Sequence, residues 1–192
     1  MLLLTACRTA WPAIAGGILI MLIIDKRYRT CACIFACMML VCIYFIFNPS
    51  KFPRVDNIVA YFMTRQNIWE VAIANIKTHP LFGEGPMTYI HIYPLYHGHP
   101  TEHAHSIYLD PVLCFGVVGL LTIAPFIAEN IKRLYRLWKK NIDKSLVALM
   151  VAFTIMIFIH GMLDYTIFFV QTGFLYLLVA SSFDIYKESL DA

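Results

Sequence analysis

The sequence has few charged residues. Only 14% of its 192 residues are Asp, Glu, Lys or Arg, whereas 60% are hydrophobic. A typical soluble domain has about 25% charged and about 45–50% apolar residues. This composition nearly excludes a water-soluble enzyme, and the same hydrophobicity excludes a disordered chain. The remaining class is an integral membrane protein, which we expect to be all-α.

Other signals are missing as well. The net charge of +3 is too small to indicate a nucleic-acid partner. No two of the six cysteines form a C-x-x-C pair, so a zinc or redox framework built on cysteine has no support. No positively charged segment precedes the first apolar run, so a signal peptide is not indicated. Internal repeats and low-complexity tracts are absent too.

The sequence does contain long apolar runs. We predict five membrane spans at about residues 11–24, 31–47, 107–128, 146–162 and 165–183. Backbone groups inside a bilayer must be paired within their own segment, so each span is expected to be a helix. The chain then divides into two spans (1–48), one long loop (49–106), and three spans with a short tail (107–192).

Basic residues give these spans an orientation. They are concentrated between the first and second spans and again between the third and fourth. Lys and Arg are enriched in cytoplasmic loops, so both loops are predicted inside and residues 49–106 outside. The chain would then start on the outer face with no preceding span. We therefore expect it to be the C-terminal part of a longer membrane protein.

The outer loop contains a predicted amphipathic helix over residues 58–78. Apolar residues recur at steps of three and four, and Arg65 occupies one position of that stripe. The apolar members of the stripe are Ile58, Phe62, Trp69, Ala72 and Ile76. Two roles fit this arginine: extension towards lipid headgroups, or binding of an anion in a pocket. Trp69 lies on the same stripe. Trp favours membrane interfaces for its own reasons.

A histidine-rich stretch follows the helix and contains His91, His97, His99, His103 and His105. Three interpretations remain open at this point. Imidazoles bind zinc or copper, so the cluster fits a metal site. One histidine also suits a general base, because its pKa lies near the working pH. The third interpretation is a hydrophilic loop that happens to use histidine.

Unusual polar residues converge on the predicted outer face. His160 and Asp164 are four residues apart, the spacing of neighbours on one side of a helix. Asp110 begins the third span, where the helix dipole favours a carboxylate. Ionisable groups near membrane depth are costly and often functional. We therefore predict an active site at this face, with these candidates: Arg8, Arg65, His103, His105, Asp110, His160 and Asp164.

Five motifs, taken in order, resemble the O-antigen ligase and polymerase family. They are the segment Thr5–Trp11, the Arg65-x3-Trp69 pair, the turn HPLFGEGP at 79–86, HAHSIYL at 103–109 and GVVGL at 116–120. Together they extend from residue 5 to residue 120. Two departures stand out. Ser106 occupies a position where the family usually has Asn, and the family's proteins carry more spans than the five predicted here.

This resemblance implies a glycosyltransferase at the outer face of the bacterial cytoplasmic membrane. The donor would be an undecaprenyl-pyrophosphate-linked glycan, used in a reaction without a metal ion or other cofactor. The acceptor would be another lipid-linked glycan, a lipid A core sugar or a wall polymer. His105 or His103 would act as the base, and Arg65 and Arg8 would bind the pyrophosphate. We expect Asp110, His160, Asp164 and Trp69 to support them.

Expected partners are membrane lipid and further membrane helices or polysaccharide-assembly proteins. Two rival hypotheses remain open. One is a metal-binding or transport-related membrane protein that uses the His91–His105 cluster. The other is a structural subunit without chemistry.

Overall fold

The computed structural model describes residues 10–51, 58–165, 167 and 170–186. Within these residues the chain is 76% helical and contains no strand, so the all-α prediction is confirmed. The described part of the chain contains seven α-helices: α1 Ala10–Ile24, α2 Tyr28–Phe47, α3 Ile58–Thr78, α4 Thr88–Ile92, α5 Asp110–Lys139, α6 Lys144–His160 and α7 Val170–Ser181. Short 3-10 helices follow α2 and α7, at Pro49–Lys51 and Ser182–Tyr186.

Two helices, α2 and α5, are long and apolar enough to cross a membrane, judged by length and composition. The apolar helices α1, α6 and α7 are shorter, so five spans and their orientation stay a prediction. The third run begins at Asp110 rather than at residue 107 and extends through the basic stretch to Lys139. The part after its interruption at Gly116, residues 117–139, corresponds to about 35 Å, slightly more than the hydrocarbon core of about 30 Å.

Helix α1 packs chiefly against α6. Two glycines of α1 make this close approach possible. A Cβ on Gly16 would lie 2.7 Å from the side chain of Ile159, and one on Gly17 would lie 2.6 Å from that of Met156. Small residues at a helix–helix contact let apolar helices approach closely. This pairing secures the end of α6 from which the turn with Asp164 begins.

The loop between α2 and α5 has an apolar core of its own. The buried members are Ile68, Val71, Ala72, Tyr89, Ile92, Ala104 and Leu113, and they come from α3, α4, the histidine-rich stretch and α5. The predicted α3 stripe is only partly correct. Trp69, Ala72 and Ile76 pack as expected, but Phe62 is 59% exposed, because only the C-terminal half of α3 reaches this core.

The start of α5 is interrupted at Gly116, whose φ of 61° and ψ of −168° are not helical. The turn at residues 80–85 docks there. The backbone N–H groups of Val117 and Val118 donate to carbonyl groups of this turn at 2.9 and 3.0 Å. A Cβ on Gly83 or Gly116 would collide with backbone atoms of the opposite segment, so both positions require glycine. This contact fixes the outer loop on the long apolar helix.

Candidate active site

Three of the predicted site residues are in contact, since two histidines approach one carboxylate oxygen of Asp164. Oδ1 of Asp164 lies 3.1 Å from Nδ1 of His105 and 3.4 Å from Nε2 of His103. The two imidazole rings are in contact, with their centroids 4.2 Å apart and their planes tilted by 41°. Because Asp164 follows α6 whereas both histidines precede α5, the site is assembled by tertiary contacts.

Specific backbone contacts hold the histidine loop at this position. The backbone N–H of Ala104, between the two histidines, donates to Oδ1 of Asp110 at 2.6 Å. The N–H of Ile107 donates to the carbonyl of Gly161 at 2.9 Å, which joins the loop to the turn that carries Asp164. Asp110 is buried, with 3% exposure. Asp110 therefore positions the histidine loop. This contact adds to the helix-dipole interaction that the sequence indicated.

Ser106 caps the turn at residues 107–109, which leads into α5. Its Oγ accepts hydrogen bonds from the backbone N–H groups of Tyr108 at 3.3 Å and Leu109 at 3.4 Å. Serine and asparagine are both strong helix-capping residues. The departure from the family's usual asparagine thus preserves the local function of this position.

Thr101 completes a chain of hydrogen bonds that the sequence did not indicate. Its Oγ1 lies 3.0 Å from Nε2 of His105. An ionised carboxylate only accepts hydrogen bonds, so Nδ1 of His105 carries the proton towards Asp164. Nε2 then accepts from the Thr101 hydroxyl and keeps a basic lone pair. A threonine four residues before a histidine in a loop is too common for sequence to single out.

The protonation states of this group follow from burial and neighbouring charges. Burial alone would raise the pKa of Asp164, but hydrogen bonds from His103, His105 and the Tyr165 N–H outweigh it and hold that pKa well below its usual range. Burial lowers the pKa of His105, and the positive charge of Arg65 lowers it further, against the opposing hydrogen bond to Asp164. Near neutral pH the group therefore combines an ionised carboxylate with a neutral imidazole.

Arg65 lies within electrostatic range of this pair. Burial lowers its pKa, and the charge of Asp164 partly restores it. The guanidinium remains charged, since arginine is not deprotonated in proteins. Trp69 lies one turn along α3, and its ring packs against the apolar core of the loop. The structure therefore brings Arg65 to the histidine–aspartate group and assigns Trp69 a packing contact.

Two other candidates have different positions. His160 is the last residue of α6, and Asp164 lies in the turn that follows. The expectation that they share one side of a helix is wrong, because α6 ends at Gly161. The carbonyl of His160 accepts from the N–H of Leu163 at 3.2 Å and so helps to shape the turn that presents Asp164. Arg8 lies outside the described residues.

The remaining histidines of the stretch lie elsewhere. His91 is exposed on α4, and His97 and His99 line an open cleft of about 410 Å³ together with Met63, Thr64, Asn67, Gly98 and Pro100. Over the described part of the chain, the possible metal ligands that cluster are His103, His105 and Asp164. The structure thus separates a histidine set that sequence alone treated as one cluster.

Comparisons with known proteins agree with the resemblance found in the sequence. The family model for O-antigen ligase matches residues 1–124, which include Arg65, His103, His105 and Asp110. Asp164 lies beyond the matched range. No curated protein and no solved structure matches the chain. Because the match covers well over half of the sequence, the chain belongs to the O-antigen ligase family.

Proposed function

We propose that this protein transfers or polymerises a glycan carried on undecaprenyl pyrophosphate, at the outer face of the cytoplasmic membrane. Family membership and the two long apolar helices support a membrane-bound, ligase-like glycosyltransferase. The observation that carries the chemical proposal is the 3.1 Å contact between His105 Nδ1 and Asp164 Oδ1, with the Arg65 charge nearby.

In this proposal His105 is the general base. The proton on Nδ1 faces Asp164, so the lone pair on Nε2 is directed to the opposite side of the ring. The hydroxyl of Thr101 occupies that side at 3.0 Å and marks the place an acceptor hydroxyl would take. Asp164 fixes the ring and stabilises the imidazolium that forms when the proton is accepted.

Arg65 would bind the leaving group. Undecaprenyl pyrophosphate departs with additional negative charge, which a guanidinium stabilises through two parallel N–H···O bonds. In the transfer step, the acceptor oxygen forms a bond to the anomeric carbon and its proton moves to His105 Nε2. The bond from that carbon to the phosphate oxygen breaks, and undecaprenyl pyrophosphate takes the electron pair. His103 would help to hold Asp164 through the same oxygen, Oδ1.

The test compares two histidines that have the same backbone conformation. His105 and His97 both have positive φ, 48° and 53°, which asparagine tolerates better than most residues. We expect His105→Asn to lower glycan transfer by about 10²- to 10⁴-fold, the usual contribution of a general base. His97→Asn is the matched control and should retain activity.

The measurement is the glycan product formed by equal amounts of membrane-inserted variant, resolved by chain length on gels. Arg65→Lys, at wild-type protein levels, should also lose most product, because an ammonium lacks the planar fork. Normal glycan profiles in both His105→Asn and Arg65→Lys would exclude this function for the site.

The rival hypothesis, a metal-binding or transport-related protein whose function uses the whole His91–His105 cluster, gains no support from these observations. His91, His97 and His99 are exposed and lie apart from the close histidine–aspartate group. The family match also indicates glycan ligation and not transport.

A further inference from the structure

The His103–His105–Asp164 group has the geometry of an open metal site. The three ligand atoms, one from each residue, lie within 4.8 Å of one another. Zinc holds nitrogen and oxygen ligands at about 2.0–2.2 Å, so neighbouring ligand atoms of a tetrahedral site lie about 3.4 Å apart. The contacts of Asp164 Oδ1 with the histidine nitrogens, 3.1 and 3.4 Å, are close to that spacing.

We propose that this group binds one Zn²⁺ ion through His103, His105 and Asp164, and that the bound ion inhibits glycan transfer. The inhibition, though not the binding, rests on the function proposed above. Two imidazoles and one carboxylate are a common zinc ligand set, with the fourth position left to water. The side chains are 9%, 20% and 28% exposed for His103, His105 and Asp164, so the ion reaches them without unfolding of the loop.

Inhibition follows from the tautomer of His105. An ion on Nδ1 takes the place of the proton that faces Asp164, so the neutral ring must carry its proton on Nε2. Nε2 is the atom that accepts the acceptor proton in the proposed reaction, and it is then no longer a base. Thr101 Oγ1 stabilises this tautomer as well, because a hydroxyl accepts a hydrogen bond as readily as it donates one.

Arg65 gives the proposal an independent signature. Its positive charge acts on both His105 and Asp164, and it therefore opposes a second cation at the same place. Arg65→Gln should strengthen zinc binding several-fold while it weakens transfer from a pyrophosphate donor. Damage to the fold would weaken zinc binding and glycan transfer together. Opposite changes in the two would therefore show that the Arg65 charge acts on one shared site.

The experiment uses the full chain, purified in detergent without a histidine tag. Zinc bound at equilibrium is measured by dialysis, and Co²⁺ absorption reports the coordination geometry. We expect one ion per chain, at least tenfold weaker binding in Asp164→Asn and in His103→Gln, and unchanged binding in the His97→Asn/His99→Ala double variant. Added zinc should lower glycan transfer, and a chelator should restore it.

The outcomes separate the inference from the proposed function. Absence of stoichiometric binding, or binding lost in the His97/His99 variant and retained in Asp164→Asn, overturns the zinc site. Binding as expected without loss of transfer overturns the inhibition. Should zinc bind as expected while His105→Asn remains fully active, the metal site is upheld and the proposed base is wrong.

Discussion

Two His-x-His pairs in one loop have the same spacing and different surroundings. His97 and His99 line an open cleft, whereas His103 and His105 converge on the carboxylate of Asp164. One member of each pair has a left-handed backbone, with φ of 53° at His97 and 48° at His105. The spacing is therefore shared, whereas the left-handed residue is the first member of one pair and the second member of the other.

Contacts with distant segments make the difference. The second pair is anchored by the Ala104 N–H bond to Asp110 and by the Ile107 N–H bond to Gly161. The first pair is held at His99 by two bonds to helices: Asn67 Oδ1 on α3 accepts from the His99 N–H at 2.8 Å, and Tyr89 Oη on α4 donates to the His99 carbonyl at 3.3 Å. A histidine pair becomes a candidate site when another element brings a partly buried carboxylate to it.

The largest effect is expected when the second pair loses its carboxylate partner, so that its surroundings resemble those of the first pair. Asp164→Asn removes the charge that fixes the His105 tautomer, and we expect glycan transfer to fall by about 10²- to 10⁴-fold. Glu102→Gln is the matched control, since Glu102 is an exposed carboxylate in the same loop. The measurement is initial rate in detergent at equal protein. A wild-type rate in Asp164→Asn would show that the two pairs do not differ in chemistry.

A smaller loss should follow when the anchor of the second pair is removed. Asp110→Ala leaves the buried N–H of Ala104 without its acceptor, which costs about 1–3 kcal/mol. We expect about tenfold slower transfer, as the histidines lose their fixed position. Asp110→Asn keeps a side-chain carbonyl and should recover most of the rate. Equal losses in both variants would instead mean that the negative charge matters and the hydrogen bond does not.

The sequence was sufficient for the features that depend on local pattern. Apolar runs predicted where the helices lie, and the period of α3 gave its bounds at Ile58 and Thr78. The position of Arg65 on a half-buried helix face also followed from periodicity. These features depend on residues within a few turns of one another.

The site itself depends on contacts that no local pattern encodes. The helical spacing of His160 and Asp164 misled, because the chain leaves the helix at Gly161 and Asp164 turns towards the histidines. Thr101 was missed for the same reason, since its importance comes only from its contact with His105. The break in α5 at Gly116 could not be predicted either, because it depends on the docking of the turn at residues 80–85. Both glycine motifs were visible in the sequence, but the contact between them was not.

The electrostatic difference between the pairs should appear in a titration. Arg65 lowers the pKa of His105, so Arg65→Gln should raise that pKa and move the acidic limb of activity to higher pH. Below this pKa the ring is protonated and cannot accept a proton. NMR of the His105 ring carbon measures the shift directly. Lys77→Gln, at the exposed end of the same helix, is the control, and an unchanged His105 in Arg65→Gln would exclude the coupling.

The smallest effect is expected at Ser106, next to the second pair. Ser106→Asn restores the residue usual in the family and keeps an oxygen that accepts from the N–H groups of Tyr108 and Leu109. Because Asn and Ser cap helices about equally well, we expect the melting temperature and transfer rate to change little, whereas Ser106→Ala should cost about 1 kcal/mol. Thermal melts in detergent measure the stability of both variants, and the transfer assay measures their rates. A changed transfer rate in Ser106→Asn would contradict this expectation. It would mean that residue 106 contacts the substrate and that its capping bonds do not explain its position beside His105.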